Sequence, residues 1–210
     1  DSGFIFRRGN GVFRMKFGGA EAIQINPELP DGFLMDGYVI SPNGQQMLVT
    51  ASKPGAPDRQ VDWISYRDRF AQAKTTDRSV AEDRFNGEEA VYLFDITDAA
   101  LNRVDIELKP TEVFRWPGGE DYELISISSE PWSPDGSTFV FASWKRDQKV
   151  WRIHEADLSR KKVRTVWEGT SNGEHMTPSF TKPFYTKDGK NIVALLDTTG
   201  WRQVHVLERV

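Results

Sequence analysis

A four-residue turn that recurs at three places constrains this chain more than any other feature. Trp132-Ser-Pro-Asp-Gly136 runs into Ser137-Thr-Phe-Val-Phe-Ala142. Proline presets φ, the aspartate bonds its own backbone, and glycine accepts the positive φ that closes the turn. The segment that follows is short, β-branched and aromatic, which suits a buried strand. The unit recurs as Ser41-Pro-Asn-Gly44 ahead of Met47-Leu-Val-Thr50, and as Thr186-Lys-Asp-Gly189 ahead of Asn191-Ile-Val-Ala-Leu-Leu196. A further strand of similar shape follows each copy, over residues 90–96, 150–155 and 201–207, and residues 163–167 add another.

Repeated turn-plus-strand units point to an array of small antiparallel sheets, and a propeller is the commonest such array. The expected fold class is therefore all-β: a β-propeller segment of four-stranded antiparallel blades with a short helical insert. The step from Ser133 to Thr186 is close to one propeller repeat of roughly 40–50 residues. The step from Ser41 to Ser133 is longer and holds one blade, the insert and a linker. The reading gives two nearly complete blades with a partial blade at each end. A closed ring needs at least four blades and usually more, so residues 1–210 read as a partial propeller domain.

Ahead of the first turn, residues 3–6 and 12–17 flank Arg7-Arg-Gly-Asn-Gly11, where Asn10-Gly11 suits a hairpin. Alternation puts Val12, Arg14 and Lys16 on one face and Phe13, Met15 and Phe17 on the other. Residues 22–25 fit a further strand. The pattern breaks over about 53–87. Pro54, Gly55 and Pro57 mark a loop, and Asp58 would cap a helix over 60–73. Trp63, Tyr66 and Phe70 then share a face that either docks the insert on the propeller or meets a substrate. Ser79-Val-Ala-Glu82 matches a capping box for a second short helix, ended by Asn86-Gly87. The insert separates the second and third strands of one blade. Strand signals resume over 89–96, 101–108 and 124–127, and residues 113–119 fit an edge or linking strand.

The chain has 210 residues, 38% of them hydrophobic, with seven Trp, enough to fill the space between several sheets. Its net charge of −4, with no basic stripe, argues against a nucleic-acid partner. No apolar run reaches the length of a membrane-spanning helix. Cysteine is absent, which excludes disulfides and thiol chemistry but leaves the compartment open. The start at Asp1 without Met suggests a processed chain or one cut from a longer protein.

The turn-strand units at Ser41, Trp132 and Tyr185-Thr-Lys-Asp-Gly189 resemble the blades of TolB-like propellers. They equally resemble the N-terminal propeller of prolyl oligopeptidase and dipeptidyl peptidase IV family serine peptidases. The resemblance covers most of residues 37–210 outside the insert. It implies the non-catalytic propeller of a serine peptidase that screens and contacts peptide substrates, beside a separate α/β-hydrolase domain whose Ser, activated by His and Asp, performs acyl transfer. The alternative it implies is a TolB-like periplasmic scaffold for protein partners. It favours the periplasm over the cytoplasm without fixing either. In dipeptidyl peptidase IV relatives a helix with a Trp and paired Glu leaves the propeller and binds the substrate amine. Asp62-Trp63 matches its opening, but Arg67-Asp68-Arg69 stands where the Glu pair belongs, and Glu88-Glu89 open a strand. That role is carried to no residue here.

No nucleophile elbow of the form Gly-x-Ser-x-Gly is read in the chain, so no catalytic residue is assigned and the chain alone is expected to be inactive. The substrate-binding candidates are Trp63, Tyr66, Arg67 and Arg69, two aromatic surfaces and two guanidiniums able to meet a peptide carboxylate. His154 and His205 hold equivalent places in two blades and read as strand-face residues bonded to neighbours, not as metal ligands. His175, beside Glu174, reads as solvated. No metal or cofactor is expected. Arg160-Lys-Lys162 fits an exposed hairpin turn. The incomplete end blades would bare apolar faces, including some of Phe4, Phe6, Phe13 and Phe17 at one end and some of Ile192, Ala194, Leu196 and Trp201 at the other. Weak self-association through them is expected.

Overall fold

The computed structural model describes residues 3–53, 60–67, 69–77, 88–106, 123–145, 150–170, 182–197 and 202–209. All regular structure there is β. The strands are β1 (Gly3–Arg8), β2 (Gly11–Lys16), β3 (Ala22–Gln24), β4 (Leu34–Ile40), β5 (Gln46–Lys53), β6 (Gln60–Ser65), β7 (Gln72–Asp77) and β8 (Glu88–Ile96). They continue as β9 (Leu101–Val104), β10 (Glu123–Ser126), β11 (Thr138–Lys145), β12 (Val150–Asp157), β13 (Lys162–Thr170), β14 (Phe184–Tyr185), β15 (Asn191–Asp197) and β16 (Arg202–Glu208). Four antiparallel sheets follow one another along the chain, in the orders β1-β2-β3, β4-β5-β8-β9, β10-β11-β12-β13 and β14-β15-β16. This is a propeller segment with two four-stranded blades between two three-stranded ones. The pair β6-β7 forms a fifth, two-stranded sheet inserted between β5 and β8, the second and third strands of their blade.

The recurring turn joins the first strand of a blade to the second, with nearly the same bonds in all three copies. The amides of Gly44, Gly136 and Gly189 donate to the carbonyls of Ser41, Ser133 and Thr186, each at 2.8 Å. The hydroxyls of Ser41, Ser133 and Thr186 donate to Asn43, Asp135 and Asp188, each at 2.6 Å. Those hydroxyls also accept the amides of Gln46, Thr138 and Asn191 at 2.9, 3.0 and 3.1 Å. The three glycines have φ of 70°, 72° and 68°, which other residues adopt only at a cost. The Ser133 hydroxyl, then the Ser137 backbone amide, hold the Asp135 carboxyl down at about 2.

The first two turns deliver strands, β5 and β11, whose two faces serve two cores, while the third delivers β15, with one face in a core. Met47, Val49 and Ala51 of β5 pack with Tyr92 and Phe94 toward the first sheet, where Val12 and Ile25 complete the cluster. Leu48 points the other way, with Val91 and Leu93, onto Trp132, Phe139 and Phe141 of the third sheet. Val140 and Ile153 on the far side of that sheet meet Tyr185, Ile192, Ala194 and Leu196 of the fourth. The sheets are therefore stacked face to face in chain order.

Three expectations are corrected. Residues 60–73 do not form a helix: β6 and β7 pair antiparallel from Gln60↔Asp77 to Ser65↔Gln72. Val61, Ile64, Thr75 and Thr76 are β-branched, and their χ1 stiffness favours the extended backbone over the helix that the 63, 66, 70 spacing suggested. The capping box, the second helix and residues 113–119 lie outside the described residues. The first hairpin turns at Gly9-Asn10, one residue earlier than expected, with φ of 58° at Gly9 and Arg8 paired to Gly11. At the far end Ile192, Ala194 and Leu196 are buried, while Phe184, Leu195, Val204 and Val206 face outward. Alternation fixes two faces of a strand but not which of them is covered. Trp201 lies outside the described residues.

The turns also touch one another. A Cβ added to Gly136 would stand 3.0 Å from Asn43 Nδ2, and one on Gly189 would stand 3.2 Å from Pro134 Cδ, whereas Gly44 has open space. Gly44→Ala should cost the left-handed penalty alone, about 1–2 kcal/mol. Gly136→Ala should cost clearly more, because its neighbour is pinned by the Ser41 hydroxyl. Urea denaturation of both variants checks this, and equal losses would show that turn-to-turn packing contributes nothing.

Candidate functional site

The insert leaves its sheet where β5 ends, at the Lys53↔Glu88 pair, opposite the end that carries the Ser41 turn. Its register sets Trp63 across from Lys74 and Ile64 across from Ala73. Trp63 and Lys74 share one face, and the ammonium lies 5.8 Å from the indole, a cation–π contact. On the other face the Thr75 hydroxyl donates to Asp62 Oδ1 at 2.7 Å. The segment joining the strands carries Tyr66, Arg67, Arg69 and Phe70, with the Arg69 guanidinium 5.8 Å from the Phe70 ring. Asp68 lies outside the described residues.

The four substrate-binding candidates, Trp63, Tyr66, Arg67 and Arg69, thus fall on one hairpin, from the body of β6 to its tip. They do not dock it. Trp63, Tyr66 and Phe70 are 45%, 76% and 75% exposed, and Ile64 is exposed as well. Three rings in water beside two guanidiniums can bind an extended peptide by stacking and charge-assisted hydrogen bonds. The guanidiniums and the Trp63 and Phe70 rings supply no nucleophile, and the Tyr66 phenol is the one group among them able to transfer a proton.

Of the histidines, His154 is buried on β12. Its Nε2 lies 2.8 Å from Ser143 Oγ and its Nδ1 3.3 Å from Thr165 Oγ1, and the ring stacks on Phe141 at 4.9 Å. A Ser–His pair at that distance has the spacing of a nucleophile and its base. Both residues are sealed between strands, and burial, reinforced by Arg152, pulls the imidazole down to about 4. Its role is structural. His205 differs from the expectation, since its Nε2 is buried with no hydrogen-bond partner among the described residues. His175 lies outside them. Among the described residues no three acidic or histidine side chains converge as metal ligands. Arg160 is exposed in the β12–β13 turn, Lys161 there has φ 51°, and Lys162, also exposed, opens β13.

One Gly-x-Ser-x-Gly string does occur, Gly169-Thr-Ser-Asn-Gly173. Gly169 and Thr170 close β13, the outer strand of an antiparallel blade. A nucleophile elbow instead joins a strand of a mainly parallel sheet to a helix. The other three residues lie outside the described ones.

Sequence reading missed a buried ion cluster. Glu155 on β12 is buried, yet it receives Arg164 Nη2 and Arg209 Nε, each at 2.6 Å, and the Tyr185 hydroxyl at 3.0 Å. Tyr185 and Arg209 belong to the next sheet, so the cluster fastens two blades together. Burial raises the Tyr185 phenol well above its ordinary value, which keeps it a donor. The available signal was a glutamate at a place where the other copies carry Leu93 and Val206.

Folding keeps His154 neutral, while the unfolded imidazole takes its proton near 6.5. Stability from this group is complete above that pH and is lost as pH falls from 6.5 toward 4, by up to about 3 kcal/mol. Urea titrations at several pH values should show a shallower acid slope for His154→Gln than for the parent chain. Identical slopes would contradict the assignment.

No family model matches the chain, and no curated protein matches it in sequence. Solved structures do match in fold. Dipeptidyl peptidase 4 of Porphyromonas gingivalis superposes with TM-score 0.61 at 11% identity, covering 99% of this chain and 30% of that one. A Bacteroides ovatus protein described as a dipeptidyl aminopeptidase IV gives TM-score 0.55 at 11% identity, covering 99% and 34%. TolB of Acinetobacter baumannii superposes less well, with TM-score 0.44 at 15% identity over 98% and 38%. The chain spans about a third of the length of each peptidase. At these identities the likeness concerns the propeller fold alone.

Proposed function

We propose that this chain is the non-catalytic propeller portion of a prolyl oligopeptidase-like serine peptidase, and that its β6–β7 hairpin contacts the peptide substrate. The observation that carries the reading is the hairpin itself. It leaves the middle of a blade and holds Trp63, Tyr66 and Phe70 in solvent beside Arg67 and Arg69. Isolated two-stranded hairpins are marginal in water, and exposed rings at this density mark a binding surface. The fold likeness to two dipeptidyl peptidases supports the peptidase side of the reading. Acyl transfer would belong to an α/β-hydrolase domain, and the propeller would limit access and orient the peptide through charge and stacking.

The test takes the full-length protein encoded by the gene. Tyr66→Ala and the Arg67→Ala/Arg69→Ala pair should lower kcat/KM for peptides by about tenfold, chiefly through KM, and leave the melting temperature unchanged. The 210-residue chain should not react with a fluorophosphonate probe, at Ser171 or elsewhere. Absence of peptidase activity in the full-length protein, or labelling of Ser171, would overturn the reading. Full activity in the hairpin variants would remove the hairpin from it. A protein-binding scaffold in the manner of TolB would show no hydrolysis at all.

A further inference from the structure

The three turns allow the blades to be aligned residue by residue. Ser41, Ser133 and Thr186 are equivalent, and a closing bond fixes the third strand of each blade. The amides of Ile96, Leu158 and Arg209 donate to the carbonyls of Gln45, Ser137 and Lys190 at 2.7, 3.1 and 3.3 Å. Strand pairing agrees, since Val91 pairs with Thr50, Ile153 with Ala142 and Val204 with Leu195. Likewise Leu93 pairs with Leu48, Glu155 with Val140 and Val206 with Val193.

Equivalent positions have different fates. Val91 and Ile153 are 4% and 1% exposed, while Val204 is 69% exposed. In the first two cases the cover is the next sheet. Its aromatic residue ahead of the turn, Trp132 or Tyr185, reaches back: Trp132 Nε1 donates to the Val39 carbonyl at 3.4 Å and Tyr185 bonds Glu155. Phe139 in one case and Ile192 in the other complete the lid. The residue after the third strand matches what it faces. Leu158 packs in the cluster that holds Leu93, and Arg209 pairs with Glu155.

We infer that the outward face of β14–β16, formed by Phe184, Leu195, Val204 and Val206, seats another antiparallel sheet of the same repeat. Continuity with the two interfaces inside the chain specifies its chemistry. It carries an aromatic residue at the place of Trp132 and Tyr185, a large apolar residue at the place of Phe139 and Ile192, and an apolar residue, not an arginine, at the place of Arg209. The last point follows because Val206 stands where Leu93 and Glu155 stand in the other blades. This inference rests on the repeat geometry, so a full-length protein without peptidase activity would leave it intact.

The chain has no cysteine, so a single introduced thiol reports one position. Val204→Cys, with Val91→Cys and Ile153→Cys as buried controls, is labelled with a maleimide in the 210-residue chain and in the full-length protein. Val204→Cys should label rapidly in the former and as slowly as the controls in the latter, at every protein concentration. Equal, rapid labelling in both would overturn the inference. Protection that appears only as concentration rises would also overturn it, in favour of a second copy as the occupant. As an independent readout, Val206→Glu should lower the melting temperature of the full-length protein and leave that of the 210-residue chain unchanged; equal effects on both would count against the inference.

Discussion

One hydroxyl in each of three blades organises this fold. Ser41, Ser133 and Thr186 each accept the amide five residues ahead and donate to the Asx side chain two residues ahead. That pair of bonds fixes where the second strand starts and therefore which of its side chains face which core. A slip of one residue there would exchange the two faces of β5, β11 or β15, sending each apolar set of β5 and β11 to the wrong core and the buried set of β15 outward. The turns also abut, Asn43 against Gly136 and Pro134 against Gly189, so the register of one blade is passed to the next.

Between the blades the contacts are mostly apolar, with one polar exception. Glu155 sits where its counterparts are Leu93 and Val206, and it holds Arg164, Arg209 and Tyr185 at one junction. Removing one partner of such a cluster typically costs about 3–5 kcal/mol because a buried charge is left uncompensated, while a well-packed apolar replacement of the whole set can cost little. Arg209, after the third strand of the next blade, completes the set around Glu155, whereas at the preceding junction the equivalent Leu158 packs in the apolar cluster that holds Leu93.

The blade strands were legible because turn chemistry and a period of two agree at the same residues. Ser-Pro-Asp-Gly and Phe-Val-Phe-Ala admit one arrangement, and the two four-stranded blades between partial ones follow from their spacing. The insert was misread because its rings satisfy two periods. Trp63, Tyr66 and Phe70 fit a helical face, but Val61, Ile64, Thr75 and Thr76 favour strands, and the pairing decides it. The candidate residues still lie together, since a hairpin gathers them as well as a helix would. Their exposure was not legible, because an aromatic residue looks the same in sequence whether it docks an element or presents it. The pairing of Glu155 with Arg209 was also hidden, because it joins residues of different blades and no local spacing encodes it.

The central claim is that three equivalent hydroxyl-centred turns set the register of the stacked sheets. Amide hydrogen exchange followed by NMR tests it at Gln46, Thr138 and Asn191, the amides that these hydroxyls receive. The account predicts that all three are protected like amides within the strands, and that Ser133→Ala removes protection at Thr138 while sparing Gln46 and Asn191. Exchange of all three at the rate of exposed loop amides in the parent chain would contradict it.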